Sequence, residues 1–249
     1  MTTIDRTTAA EPTPMNHLRR TALIAGVFYV ITFISIPTLA LYGPVHDADY
    51  IAGTGSEDGV VVGGILELIV ALAGIGTAVT LYPVVRRQGE ARALGFVGAR
   101  TLEAAAIFVG VASLLTVVEL RRSGVGADGL ITGHALIAFY DSIFIISQGF
   151  IPAVNAVLLG SLLYQSRLVP RVLPVLGFVG ALLIVISDAG VLFDLWDRLS
   201  AVTALATIPI AVWEFGLGVY LIVKGFRPSP LTTAASRPRP AGVPPTAPS

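Results

Sequence analysis

Arg100 and Glu103 stand three residues apart inside ALGFVGARTLEAAAIFVG (93–110), an apolar run long enough to form part of a membrane crossing. On a helix that spacing puts a guanidinium and a carboxylate on one face, within reach of each other. A lone charge at the bilayer centre costs about 3 kcal/mol even on permissive scales, so the pair is expected to face protein rather than lipid. Ala99, Glu103, Ala106 and Gly110 share a face, and their small side chains let another helix approach closely. The chemistry open to such a pair is the binding of protons or ions. Its architectural alternative is a buried ion pair that only specifies helix packing.

A second polar set, His134, Asp141, Gln148 and Asn155, recurs at intervals of seven and therefore stays near one helix face. Each interval is about 10 Å along the axis, so a proton relay along it needs water and residues from other helices. Depth along the helices sorts these groups into two layers, counting about 1.5 Å per residue from each apolar run's end. Arg100, Glu103, Glu214 and Gln148 form a candidate intramembrane network in one half. Glu67, Asp141, His134 and Asp188 form a candidate polar site in the other half. Glu67 beside Asp141 would place like charges together, which favours a shared proton or a bound cation.

The elements that position these residues follow from composition. The 249-residue chain is 54% hydrophobic and 13% charged, with a mean hydropathy of +0.81, against about 25% charged residues in soluble domains. Six apolar runs are long enough to span a bilayer as helices, at about 21–42, 60–85, 94–119, 134–163, 171–193 and 200–223. The fold class is thus an all-α integral membrane bundle of six transmembrane helices. Pro37, Pro83, Pro152 and Pro209 fall within these runs and are expected to be tolerated, with a tilt or kink at Pro152.

Twelve of the 16 basic residues gather at one set of helix ends, three (Arg121, Arg122 and Arg198) at the other, and Arg100 lies within a span. By the positive-inside rule both termini are expected to be cytoplasmic, in a plasma membrane. Three regions result: a cytoplasmic N-terminal tail (1–17), a transmembrane domain (18–225) and a Pro-rich cytoplasmic tail (226–249) expected to be disordered.

LYPVVRRQGEARALGFVGA (81–99) and LYQSRLVPRVLPVLGFVGA (163–181) start and end alike at an offset of 82 residues. If this is a repeat, spans two and three are copies of spans four and five in the same orientation. The echo omits the polar residues, because Arg100 falls opposite Leu182 and Glu103 opposite Val185.

Much chemistry is excluded. There is no cysteine, so thiolate, disulfide and Fe–S chemistry are absent. Of the three histidines only His134 falls in a span, leaving no bis-histidine haem or HExxH zinc site. No GxSxG, Walker A or dinucleotide fingerprint occurs, and the zero formal charge gives no global field toward nucleic acid. A non-enzymatic protein without cofactor, metal site or catalytic residues is expected. Its expected partners are membrane lipids and a small-molecule or ion ligand, with no nucleic acid.

The stretch GGILELIVALAGIGTAVTLYPVVRRQGEARALGFVGARTLEAA resembles DUF4386, a bacterial family of multi-pass membrane proteins known as a domain of unknown function. YDSIFIISQGF and LVPRVLPVLGFVGALL resemble it too, and the likeness covers about residues 18–225. Glu67, Tyr82, Pro83, Arg86, Arg100 and Glu103 match its motif. The resemblance implies an integral, multi-pass protein of the bacterial plasma membrane and no particular activity. Two functions fit the residues: binding or moving a small solute, lipid or ion through a polar intramembrane site, or a structural or sensory role in which the buried charges are architectural.

Overall fold

Apolar length decides the elements, and six helices are long and apolar enough to cross a membrane: His17–Ser35, Asp58–Val85, Glu90–Arg122, Leu130–Ser166, Val172–Leu192 and Ala201–Val223. They are called the first to sixth spans below. The computed structural model describes residues 17–53 and 56–229, so nearly all of both expected tails lies outside the described residues. Among the described residues every regular element is helical.

Each span packs against its sequence neighbours and the sixth returns to the first, which closes the helices into a ring. The ends of the first, second, third, fourth, fifth and sixth spans near His17, Val85, Glu90, Ser166, Val172 and Val223 form one face, here the terminal face. The segments 36–53, 56–57, 123–129 and 193–200 form the loop face. Ile65, Leu72 and Val79 repeat every seven residues along the second span and are all exposed, as an outward stripe meeting hydrocarbon requires. Tyr29, Leu81, Phe96, Leu159, Trp213 and Leu217 fill the ring toward the terminal face. Tyr42, Val45, Leu114 and Tyr140 fill it toward the loop face.

Close backbone approach sets two of the helix pairs. A Cβ on Gly180 of the fifth span would lie 2.5 Å from the Ile210 backbone nitrogen and 2.7 Å from its Cα. A Cβ on Gly26 of the first span would lie 2.6 Å from the Gly218 carbonyl oxygen of the sixth. Small residues at crossings are the expected means of tight packing where lipid removes the hydrophobic drive between helices.

Two departures from the sequence reading matter for the site. The apolar run at 21–42 is expected as one helix, yet the α-helix ends at Ile31, continues as a 3₁₀ turn to Ser35 and gives way to short helices at Thr38–Leu41 and Gly43–His46. Pro37 is the reason: it lacks an N–H, and its ring crowds the carbonyl four residues earlier, that of Phe33. The chain then folds against the second span, with the Tyr42 ring lying on Gly63.

The second departure is in the fourth span, where Ile145–Phe150 form a π-helical turn immediately before Pro152. A proline ring clashes with the carbonyl four residues earlier, here that of Gln148, and the widened turn absorbs this. Pro83 and Pro209 sit within continuous helices, as expected. The echo keeps its register at the helix starts, since Gly89 and Arg171, 82 residues apart, each precede the first residue of a span. Burial is not kept: Arg100 is 3% exposed and its counterpart Leu182 is 63% exposed.

Candidate functional site

Arg100 lies near the centre of the ring because five spans meet around it. Its Nη1 donates to both oxygens of Glu103 at 3.2 and 3.1 Å, within the third span. Its Nη2 donates to Glu214 Oε1 of the sixth span at 2.6 Å. The guanidinium stands 5.5 Å from the ring centroid of Tyr29 in the first span, and Gly74 of the second span leaves room for its side chain. Asn155 of the fourth span donates from Nδ2 to Glu103 Oε2 at 2.7 Å. Arg100, Glu103 and Asn155 are buried. One guanidinium therefore faces two carboxylates in a low-dielectric interior, an excess of one acid.

Glu67 has different company. It is 2% exposed, and Tyr140 and Gln148 donate to its Oε1, each at 3.0 Å. Tyr42 donates to its Oε2 at 3.3 Å. The two tyrosine rings meet edge to face at 5.5 Å between centroids. All three donors are neutral, and no basic group forms an ion pair with Glu67 among the described residues.

A third cluster lies at the loop face. Asp141 Oδ1 is 3.2 Å from His46 Nε2 and 2.9 Å from Arg198 Nη2. His46 Nδ1 lies 3.0 Å from the Tyr42 carbonyl oxygen, and Arg198 covers the Phe144 ring at 4.8 Å. Beside it, Arg121 donates to the carbonyls of Tyr50 and Gly53 at 2.9 and 3.1 Å and stacks 4.5 Å over the Tyr50 ring. Arg122 donates to Glu57 at 2.9 Å and holds that carboxyl below the usual carboxylate range. The first loop is thereby clipped onto the third span.

The structure thus brings Arg100, Glu103 and Glu214 together, but it moves Gln148 to Glu67. Helical Cα–Cβ bonds tilt toward the N-terminus. The fourth span begins at the loop face, so the Gln148 side chain slants toward Glu67 and away from Arg100. Nor does the outer group assemble as expected: Asp141 turns to His46 and Arg198, and His134 is exposed beside the Ala48 carbonyl at 3.3 Å. Asp188 is buried on the fifth span, its Oδ2 without a hydrogen-bond partner among the described residues and pressed against Gly149 of the π turn. No like-charged Glu67–Asp141 contact forms, because neighbouring residues on one helix point about 100° apart.

Tyr29, Tyr42, Tyr140, His46 and Arg198 escaped the sequence reading. A legible signal existed only for Tyr140, a hydroxyl beside Asp141 at the depth of Glu67. Asn155 belonged to the seven-residue series without being assigned to either site.

His46 supplies a pH test. Its hydrogen bond to Asp141, outweighing partial burial, raises its pKa above the ordinary histidine value of about 6.5. A raised folded pKa contributes stability that is complete below the unfolded value and is lost as pH rises through the folded one. Thermal stability is therefore expected to fall as pH rises from about 6.5, by at most about 1 kcal/mol for a solvent-screened contact. The His46→Gln protein should lose this step, and an unchanged pH profile in that protein would assign the step to another group.

A family model described as a domain of unknown function (DUF4386) matches residues 24–225. No curated protein matches the chain, and no solved structure matches it.

Proposed function

We propose, for a chain that belongs to the DUF4386 family, a domain of unknown function, and whose three polar clusters all lie within the matched residues, a role in binding or moving a small solute, lipid or ion through the interior of the helix ring. The observation that supports this reading is the surplus of acid over base at depth. Arg100 meets two carboxylates, and Glu67 is buried against neutral donors alone. Architecture by itself is served by matched charges, since each unmatched buried charge is costly. A surplus carboxylate is useful where a proton or a positively charged group comes and goes.

The membrane is the plasma membrane in this reading, with both chain ends cytoplasmic. The basic residues of the terminal face support that orientation. With no native cysteine, single cysteines placed at Ser56 and Ser123 of the loop face and at Arg87 of the terminal face report sidedness without background. An impermeant thiol reagent applied to sealed cells should label the first two and spare the third. Labelling of Arg87→Cys alone would invert the topology.

Function is tested in liposomes containing the purified protein, by flux of protons and of small organic cations under an imposed gradient. Glu103→Gln and Glu214→Gln should remain monodisperse and lose flux. Folded variants with undiminished flux would remove the Arg100 cluster from the pathway. Absence of flux and of ligand-induced thermal shift in the wild type would favour the structural or sensory role.

A further inference from the structure

The half-exposed His46–Asp141 pair and the buried Glu67 are joined twice through the covalent chain. Tyr42 and His46 lie one turn apart in the segment after Pro37, and Tyr42 bonds to Glu67 while His46 bonds to Asp141. Tyr140 and Asp141 are adjacent in the fourth span, and Tyr140 bonds to Glu67 while Asp141 bonds to His46 and Arg198. A surface pair and an interior carboxyl thus share both of the elements that hold them.

We propose that Glu67 is a proton-binding site filled from the loop face by way of the His46–Asp141 pair. This deepens the preceding reading by naming the ion; it rests on that reading for the use made of the proton, and on geometry for the site itself.

The donor set suits a proton better than a metal ion. Three neutral groups direct N–H or O–H toward the carboxylate, which stabilises its charged form, whereas a metal ion needs several oxygens that offer lone pairs. Protonation has a place to go. Tyr42 is the longest of the three contacts, at 3.3 Å, and a phenol both donates and accepts. A proton added to Oε2 makes a carboxylic O–H that donates to the Tyr42 oxygen, once the phenolic hydrogen has rotated away. Tyr140 and Gln148 continue to donate to Oε1. Glu67 gains the proton that His46 Nε2 gives up, and His46 takes another from the solution at the loop face; no other covalent bond changes, and release reverses the rotation.

The charged surroundings are defined on every side. The loop segment presents Tyr42 and then His46, and the fourth span presents Tyr140 and then Asp141. From the segment between the fifth and sixth spans, Arg198 reaches Asp141, one residue beyond Tyr140, and the fifth span places Asp188 against Gly149, one residue beyond Gln148. The third span places Arg100 and Glu103 deeper and Arg121 at the loop face, none of them hydrogen-bonded to Glu67. At the surface end, the hydrogen bond to Asp141 raises the His46 pKa above the ordinary histidine value.

Infrared difference spectroscopy of the purified protein in lipid, titrated with pH, reads the site directly. The wild type should show a titrating carboxylic C=O band that Glu67→Gln abolishes and Tyr42→Phe displaces. A wild-type titration superimposable on that of folded Glu67→Gln would overturn the proton site. In oriented liposomes, a pH jump on the loop face should protonate Glu67 at least tenfold faster than one on the terminal face. His46→Gln should slow the loop-face reaction about tenfold while leaving the titrating band in place. Equal rates from both faces, or an unaltered rate in His46→Gln, would overturn the route. An intact titration in a protein without flux would leave the proton site standing and remove transport. Flux without Glu67 titration would do the opposite.

Discussion

Replacing Arg100 by leucine should cost about 3–5 kcal/mol of stability, the penalty for removing one member of a buried ion cluster. The loss goes beyond two hydrogen-bonded contacts. Glu103 and Glu214 would be left facing each other across the ring with no cation between them, and the Tyr29 face would lose the guanidinium above it. Neutralising the partners tests this account. In Arg100→Leu combined with Glu103→Gln and Glu214→Gln, much of the loss should return, because the amides need no counter-charge and the one at position 103 can still accept from Asn155. Unfolding midpoints in detergent, compared across the single and combined variants, give the coupling. Simple additivity of the losses would show that the three side chains do not act as one cluster.

The second large effect is steric. Gly180→Val should separate the fifth and sixth spans and destabilise by about 3 kcal/mol, the upper part of the usual cost of overpacking. The obstruction is the Ile210 backbone, 2.5 Å from the position of the new Cβ, and it cannot turn aside as a side-chain tip does. Gly98→Ala is the control, since no atom comes within 4 Å of its added carbon and it should be nearly neutral. Comparable stability of the two variants would mean that the fifth and sixth spans do not cross at Gly180.

Six spans were legible because hydropathy over some 20 residues is a strong signal, and the Arg100–Glu103 contact because a spacing of three on one helix fixes proximity. Glu214 could be matched to them by depth, since it lies nine residues from Val223 and Arg100 lies ten from Glu90. Direction along the axis was the missing quantity for Gln148: a depth count places its Cα, and the tilt of the helical side chain decides which carboxyl it meets. Tyr42 was hidden for another reason. Apolar content continues smoothly through Pro37, so hydropathy extends the first helix over a segment that in fact turns back to cover Glu67. Long-range pairings such as His46–Asp141 leave no local trace, because their residues are 95 positions apart and belong to unrelated patterns.

The partners of Arg100 also differ in when they are made. Ribosomes add about 5–20 residues per second. Glu103 emerges with Arg100 on the same helix, Asn155 follows Glu103 by 52 residues, and Glu214 follows Arg100 by 114, a delay of roughly ten seconds at that speed. During this interval the third span has only its internal carboxylate to offset the guanidinium as it enters the bilayer. Glu103 is accordingly the companion needed for insertion, and Glu214, arriving on the helix that closes the ring, is the one needed for completion. Glu103→Gln should therefore lower the yield of inserted chains and Glu214→Gln should leave that yield unchanged, while the chains that do insert are folded in both.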